Sequence, residues 1–132
     1  MATIKTVLHI LQKHYPDMSM LASFTDKSPF QILIATVLSA RSRDEQIIKL
    51  VPALFAKYPD AASMSKANIS SLEKYVKSSG FYKVKAKRIR DISRELITNF
   101  NGKVPNSMEK LLSLPGVGRK TAGCVLVYAF KI

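Results

Sequence analysis

A pair of glycines shortly before the last helical segment of this chain offers its clearest chemistry. Gly116 and Gly118 lack Cβ atoms, so the backbone there can take positive φ and can approach another molecule closely. The amides that follow lie at the start of a helix, where N–H groups and the helix dipole attract phosphate. Because such donors contact a sugar-phosphate chain and not base edges, we expect binding that is insensitive to sequence and weakens with salt.

Other interpretations of this glycine turn stay open on the residues alone. A nucleotide-binding loop needs glycine directly before Lys-Thr, whereas Arg119 intervenes here, and a helix instead of a strand comes before the turn. A tight turn between packed helices is the favoured interpretation of a lone glycine pair. By the same reasoning Lys120 is a phosphate contact, because lysine serves most often as a point charge.

Basic residues of the long helix predicted over residues 84–100 form a second candidate surface. Four of them share one face at three- and four-residue spacing: Lys83, Lys87, Arg90 and Arg94. A charge run of this kind is usually only a solvated face. DNA contact is therefore the weaker interpretation of this face when it is taken alone.

The histidines and the cysteine do not form a metal-site pattern. His9 and His14 are five residues apart and have no cysteine or carboxylate at ligand spacing, so a zinc site is not expected. The single cysteine, Cys124, can form neither an internal disulfide nor a cysteine cage by itself. Its apolar neighbours predict a buried thiol.

The helices that position these residues follow from the spacing of the apolar side chains. Apolar residues recur every three or four positions, while alternating strand-like runs are missing, so the fold class is predicted as all-α. Ser28 with Pro29 starts a strongly apolar, central helix, and a polar corner at 39–41 separates it from the next one. The predicted helices lie around 4–11, 28–38, 42–52, 69–77, 84–100, 107–114 and 119–130, and the sequence leaves open whether the third continues beyond Pro52.

Length and charge limit the class of protein. The 132 residues, 47% of them apolar, suffice for one packed domain or for one lobe of a larger protein. The net charge of +12 favours a polyanionic partner, with nucleic acid ahead of an anionic membrane. The start of the chain lacks a secretion-signal pattern and no segment approaches about 20 uninterrupted apolar residues. We expect a soluble, intracellular protein of the cytoplasm or nucleoid.

Residues 114–122, with the sequence LPGVGRKTA, closely resemble the helix-hairpin-helix signature of endonuclease III, a DNA glycosylase/AP lyase family. Residues 38–44 (LSARSRD) and 80–86 (GFYKVKA) also look like segments of that family, in the right order and at similar spacing. The resemblance covers nearly the whole chain. It implies an endonuclease III-like, six-helix barrel-type lobe over 21–132, with the helix-hairpin-helix at about 107–130.

By this resemblance the chain is a base-excision repair enzyme acting on double-stranded DNA, with Lys120 as its catalytic nucleophile. The lysine would attack the sugar C1′ of a damaged, flipped-out pyrimidine nucleotide or an abasic site, and the Schiff base would permit β-elimination of the strand. Positive potential from Arg119 and the helix start would favour the neutral amine. The alternative is a non-catalytic helix-hairpin-helix DNA-binding module. A helix-turn-helix regulator is disfavoured, because the hairpin indicates phosphate readout.

The resemblance also implies DNA contacts outside the hairpin. Arg41 stands where many members carry a glutamine that fills the gap left by the flipped base, and Phe81 corresponds to an apolar wedge beside that gap. From sequence alone Phe81 is equally a core aromatic, and Ser39 and Asp44 are equally capping or corner residues. The DNA-contacting residues predicted in this way are Ser39, Arg41, Asp44, Phe81, Lys83, Lys85, Gly116, Val117, Gly118, Arg119 and Thr121.

The cofactors of the family match this sequence only in part. The backbone carbonyls of Leu112, Leu114 and Val117 correspond to those that hold a monovalent cation in related hairpins. The catalytic aspartate of a Val-Asp-Thr-His segment and four cysteines for a four-iron four-sulfur cluster are absent from this chain, and Cys124 matches none of them. We therefore expect no cofactor in this chain, and both the aspartate and the iron-sulfur cluster in a longer parent protein.

The N-terminal segment, residues 1–20, packs in the family with that absent C-terminal part. Its apolar face, formed by Ile4, Val7, Leu8 and Leu11, would then lack its partner. We expect an exposed apolar patch there and a tendency of the chain to self-associate.

Overall fold

The computed structural model describes residues 28–40 and 44–130 of the chain. Every regular element within these ranges is helical, which confirms the all-α fold class. No helix among them is long and apolar enough to cross a membrane. The elements are α1 Pro29–Ser39, α2 Asp44–Lys57, α3 Ala61–Ser65, α4 Ile69–Val76, a 3-10 turn Lys77–Ser79, α5 Tyr82–Asn99, α6 Met108–Leu112 and α7 Arg119–Phe130.

Polar side chains explain where several helices begin. Ser28 accepts a hydrogen bond from the Gln31 amide at 3.2 Å, which confirms the predicted start of α1. Three further helices begin in the same way, each with a side-chain oxygen that accepts a first-turn amide: α3 at Asp60, α4 at Asn68 and α6 at Ser107. These four helices satisfy first-turn amides with their own side chains.

The observed bounds differ from the predicted ones at several places, and α2 continues through Pro52 to Lys57. The sequence pattern does not predict α3, because five residues are too few to show a helical period, so the described residues hold seven α-helices where the pattern predicts six. α5 begins two residues early, at Tyr82, and α6 ends at Leu112. The predicted first helix, its apolar face and the proposed self-association lie outside the described residues.

α1 forms the centre of the core. Eight of its eleven residues are buried, as expected for a helix that is apolar all round. It packs against α2 and α7, while α5 packs against α3 and α4. The face that α5 buries includes Ala86, Ile89, Ile92 and Leu96. These residues recur at three- and four-residue spacing and form the core side of the long helix.

Buried side chains hold the segment between α6 and α7 on both sides. Leu111 and Leu114 lie in the core before the turn, and Val117 lies in the core after it. Val125 and Tyr128 anchor the rest of α7. Because these anchors flank the turn, the turn itself and the first residues of α7 remain at the surface.

Candidate nucleic-acid interface

The segment between α6 and α7 contains a four-residue turn. The Val117 amide donates to the Leu114 carbonyl at 3.2 Å, with Pro115 and Gly116 at the two central positions. Gly116 has φ +73°, the positive value that the third residue of a type II turn requires. The turn is therefore a specific structure that favours glycine at this position.

The two glycines of this hairpin serve different purposes. At Gly116 a Cβ atom would collide with the side chain of Arg88, which lies against the turn. Gly118 does not have a positive φ, and a Cβ there would meet nothing within 4 Å. The open space at Gly118 lets another molecule approach the backbone closely.

α7 begins at a glycine, which has no side chain of its own to cap the helix. The Ala122 amide donates to the Gly118 carbonyl at 2.9 Å, which makes Gly118 the residue that precedes the helix. Glycine has no side-chain oxygen to accept the next amides, in contrast to the residues that cap α1, α3, α4 and α6. The amides of residues 119–121 thus lie at an exposed, positive helix end, an arrangement that attracts phosphate.

The site residues predicted on α7 lie in its first turn. Arg119 and Lys120 are exposed, and Thr121 is half-buried. Lys120 is the second residue of the helix, two positions after Gly118. Val117, in contrast, has its side chain in the core, so a contact with DNA there can come only from its backbone.

A second exposed feature lies at the corner that leads into α5. Gly80 and Phe81 both have positive φ, +75° and +49°. This left-handed backbone is uncommon for a bulky residue such as Phe81 and is unfavourable unless the surrounding fold imposes it. The Phe81 side chain is nevertheless 57% exposed, which excludes its interpretation as a core aromatic. A strained backbone that presents an exposed ring is typical of a functional position.

Lys85 supports this corner from the inside and does not reach the surface. Its Nζ donates to the Ser79 carbonyl at 2.8 Å, and only 3% of the residue is exposed. The Ser79 hydroxyl in turn donates to the Val76 carbonyl at 2.6 Å. Burial lowers the pKa of Lys85 to about 8. The predicted contact of Lys85 with DNA is therefore wrong, because the ammonium group is used within the fold.

The first turns of α5 lie between the Phe81 corner and the hairpin. A cavity of about 420 Å³ opens at the corner, and a cleft of about 380 Å³ opens between α5 and the hairpin. Phe81 and Val84 are both more than half exposed and give the corner an apolar surface. The cavity is lined by Ala40, Phe81, Val84, Lys85 and Arg88, and the cleft by Val84, Lys87, Arg88, Asp91, Pro115 and Gly116.

Further predicted contacts lie near this cavity or outside the described ranges. Ser39 ends α1 next to the cavity, and its hydroxyl donates to the Thr36 carbonyl at 2.7 Å, as a corner residue does. Lys83 is exposed in the first turn of α5. The side chain of Asp44, the first residue of α2, and the whole of Arg41 lie outside the described residues.

The basic residues that were predicted to share one face of α5 have different environments in the structure. Lys87 is exposed, whereas Arg94 Nε donates to the Ser65 carbonyl at 3.2 Å. Arg90 Nε is buried and has no hydrogen-bond partner among the described residues. Sequence reasoning missed Arg88, which lies on the neighbouring side of the helix. Only the approach of α5 to the hairpin reveals that this cation belongs to the site.

Metal ligands do not cluster in the described ranges, where no group of three or more His, Cys, Asp or Glu side chains converges. Cys124 is buried, as predicted, and one thiol does not fit a cluster that needs four. The Leu114 carbonyl, one of the three assigned to a monovalent cation, accepts the Val117 amide and keeps one lone pair. The cation site stays a prediction.

Two packed helices joined by a glycine turn, with backbone amides exposed at the start of the second helix, define a helix-hairpin-helix domain. Residues 34–127 match the family model described as "HhH-GPD superfamily base excision DNA repair protein". The chain belongs to this superfamily. The family match confirms the resemblance carried by residues 114–122.

Relatives and solved structures agree with this family. The chain is 44% identical over 126 residues to the Endonuclease III of Synechocystis sp., which covers 96% of this chain and 57% of the relative. It is 48% identical over 106 residues to the Endonuclease III of Thermotoga maritima, and this match covers 80% of this chain and 50% of the relative. A solved structure of a trapped Endonuclease III-DNA covalent intermediate has a TM-score of 0.78 at 34% identity and covers 100% of this chain and 62% of that one. The chain thus spans about half the length of the curated relatives it matches.

Substitution of Lys85 by Met should change how stability depends on pH. The ordinary pKa of this lysine is 10.5, and in the folded protein it is about 8. Between these values the unfolded state binds the additional proton, so the free energy of unfolding of the wild type rises with pH, by on the order of 1–3 kcal/mol. Below the lower value both states are protonated and the desolvation penalty is present in full.

Urea unfolding of the wild type and Lys85→Met at several pH values measures this effect. The difference between the two proteins isolates Lys85 from the other lysines, which titrate in both. Lys83→Met, which removes an exposed lysine from the same helix, should retain the wild-type pH dependence. Parallel curves for the wild type and Lys85→Met would contradict a buried ammonium group at the corner.

Proposed function

We propose that this chain is the DNA-binding, nucleophile-bearing lobe of a base-excision repair glycosylase with AP lyase activity. The observation that carries the proposal is an exposed lysine, Lys120, in the first turn of α7, two residues after a glycine that has no side chain of its own to cap the helix. In this proposal the amine nucleophile and the phosphate site lie next to each other. The family match over 34–127 and the likeness to a trapped covalent complex with DNA support the same reaction class.

In this proposal the hairpin holds the DNA backbone. The amides of residues 119–121 donate to a phosphate, and the open space at Gly118 admits the strand. Contacts of this type carry no base readout, which suits a protein that must search all DNA. The net charge of +12 adds long-range attraction and makes the affinity depend strongly on salt.

Phe81 is the residue that we assign to the space beside the flipped nucleotide. Its ring is exposed, its backbone is held in the left-handed conformation, and Val84 extends the apolar surface. An apolar wedge unstacks a base step at a cost of about a few kcal/mol, which contacts with the bent duplex offset. In the same proposal Arg41 fills the gap in the duplex, while Ser39 and Asp44 lie near the pocket.

The reaction follows from amine chemistry. The neutral Lys120 Nζ attacks C1′ of the damaged pyrimidine nucleotide, and the base departs with the electron pair of the glycosidic bond. Opening of the sugar ring leaves an imine between Nζ and C1′. Loss of a proton from C2′ then expels the 3′ phosphate by β-elimination, and water releases the lysine. An abasic site already offers an aldehyde to the amine, so that the lyase step alone needs no departing base.

Three further features are proposed for the whole protein. A four-iron four-sulfur cluster is expected in a longer parent, and no step of the reaction is assigned to it here, since this sequence has a single cysteine. A monovalent cation on the carbonyls of Leu112, Leu114 and Val117 would add rigidity to the hairpin. Because the proposed substrate is intracellular DNA, we also propose that the protein lies in the cytoplasm or nucleoid.

Borohydride trapping on a duplex with an abasic site tests Lys120 as the nucleophile. The wild-type chain should form a covalent adduct, because borohydride reduces the imine to a stable amine. Lys120→Ala should form none while still binding the duplex. Lys110→Ala, which removes another exposed lysine of the same motif, should keep the adduct. Salt-sensitive binding without an adduct in the wild type would leave only a non-catalytic DNA-binding module.

Gly118→Ser tests whether the hairpin binds phosphate or is only a structural turn. A serine at this position caps the helix and occupies the amides, so the affinity for the abasic duplex should fall by about tenfold. The free energy of unfolding should rise by about 0.3 kcal/mol, since serine is the better cap. Fluorescence anisotropy and urea unfolding measure the two effects.

Gly123→Ser is the matched control for this variant. Gly123 also has open space around it, but it lies within α7, away from the helix start. Its substitution should leave the affinity for DNA unchanged. If Gly118→Ser binds the duplex as tightly as the wild type, the amides at the start of α7 do not hold phosphate.

A further inference from the structure

We propose that Arg88 is a further DNA-binding residue, which holds a second backbone phosphate in the cleft between α5 and the hairpin. The proposal rests on the proposed function and extends it from the hairpin to a cation on α5. Arg88 lies two residues after the motif segment 80–86, within the range 34–127 that matches the family model. Its role depends on where the fold places it.

Arg88 lies at the junction of the two exposed features of the site. It lines both the cavity at the Phe81 corner and the cleft beside the hairpin. In the proposed function a DNA strand is held at the start of α7 and is wedged open by Phe81. Such a strand passes this junction.

The stem of Arg88 is packed against the backbone of the hairpin. Its Cγ, Cδ and Nε atoms occupy the space that a side chain at position 116 would need. A side chain at position 116 would therefore displace this stem and would also be strained by the positive φ. A stem that is already restricted loses less conformational entropy when the guanidinium group binds a ligand.

The guanidinium group of Arg88 is not used within the described part of the fold. No described residue accepts a hydrogen bond from it, whereas Arg94 and Lys85 both donate to backbone carbonyls. Lys87 and Asp91 line the same cleft, so its described lining residues carry an excess of one positive charge. The planar fork of a guanidinium group matches two phosphate oxygens.

The ligand class is a phosphodiester of a DNA strand. The carboxylate of Asp91 in the same cleft weakens the attraction for a free anion. A strand already held at the amides of α7 delivers its neighbouring phosphate at a high effective concentration. We therefore expect inorganic phosphate alone to compete poorly with the duplex at this site.

Arg88→Met tests the proposal, because methionine keeps an unbranched stem over Gly116 and removes the charge. Binding of the 132-residue chain to an abasic duplex is measured by anisotropy across a salt series. Arg88→Met should bind about tenfold more weakly at low salt and should reduce the slope of log K against log salt by about 1. Arg88→Lys should restore the slope but only part of the affinity, because an ammonium group lacks the fork.

Lys103→Met is the matched control. Lys103 is exposed beyond the C-terminal end of helix α5, which itself ends about 16 Å from Arg88 along the helix axis, and its substitution should leave the slope unchanged. If Arg88→Met fails to fold, Arg88→Gln takes its place with the same expected loss of slope.

Three outcomes overturn the proposal in distinguishable ways. A folded Arg88→Met protein with the wild-type slope excludes a phosphate contact of Arg88, while the borohydride adduct on Lys120 still supports the proposed function. A wild-type chain that forms neither a complex nor an adduct overturns both. Competition by inorganic phosphate as effective as that of the duplex would also contradict the phosphodiester as the ligand.

Discussion

The burial of Leu114 and Val117 on either side of one tight turn is the constraint on which the rest of the site depends. Between these two anchors the chain reverses within four residues, which Gly116 permits through its positive φ. The reversal makes α7 begin at the surface, at a glycine that cannot cap it. The exposed amides and the position of Lys120 follow from this turn. Four other helices of the fold use a capping side chain at the equivalent position, so the absence of one here favours binding over stability.

The corner before α5 also combines an exposed side chain with features that destabilise the folded state. Phe81 holds a left-handed backbone and presents its ring to solvent, and Lys85 is buried beneath it with a lowered pKa. Each of these features destabilises the folded state when it is taken alone. They persist because the Lys85 ammonium group binds the Ser79 carbonyl and because the core side of α5 is well packed. α5 thereby links the corner to the hairpin through Arg88.

Features that depend on neighbouring residues could be predicted from the sequence. Features that depend on how distant segments pack together could not. The Ser28 cap and the glycine hairpin are encoded within a few neighbouring residues, and the structure confirms both. The burial of Lys85 depends on the 3-10 turn folding back over α5, and the place of Arg88 depends on the distance between α5 and the hairpin. A helical repeat reveals neither. For Phe81 the sequence left a wedge and a core aromatic open, and the exposure of the ring excludes the core position.

The central claim is that backbone amides at the start of α7 hold a DNA phosphate. Amide NMR of the isotopically labelled chain, titrated with an abasic-site duplex, tests this claim most directly. The amides of residues 118–121 should show the largest shifts, accompanied by those of Gly80 and Phe81, and added salt should reverse them. Shifts confined to the opposite end of α5, around the cavity of about 450 Å³ lined in part by Pro29, Lys103 and Phe130, would contradict it.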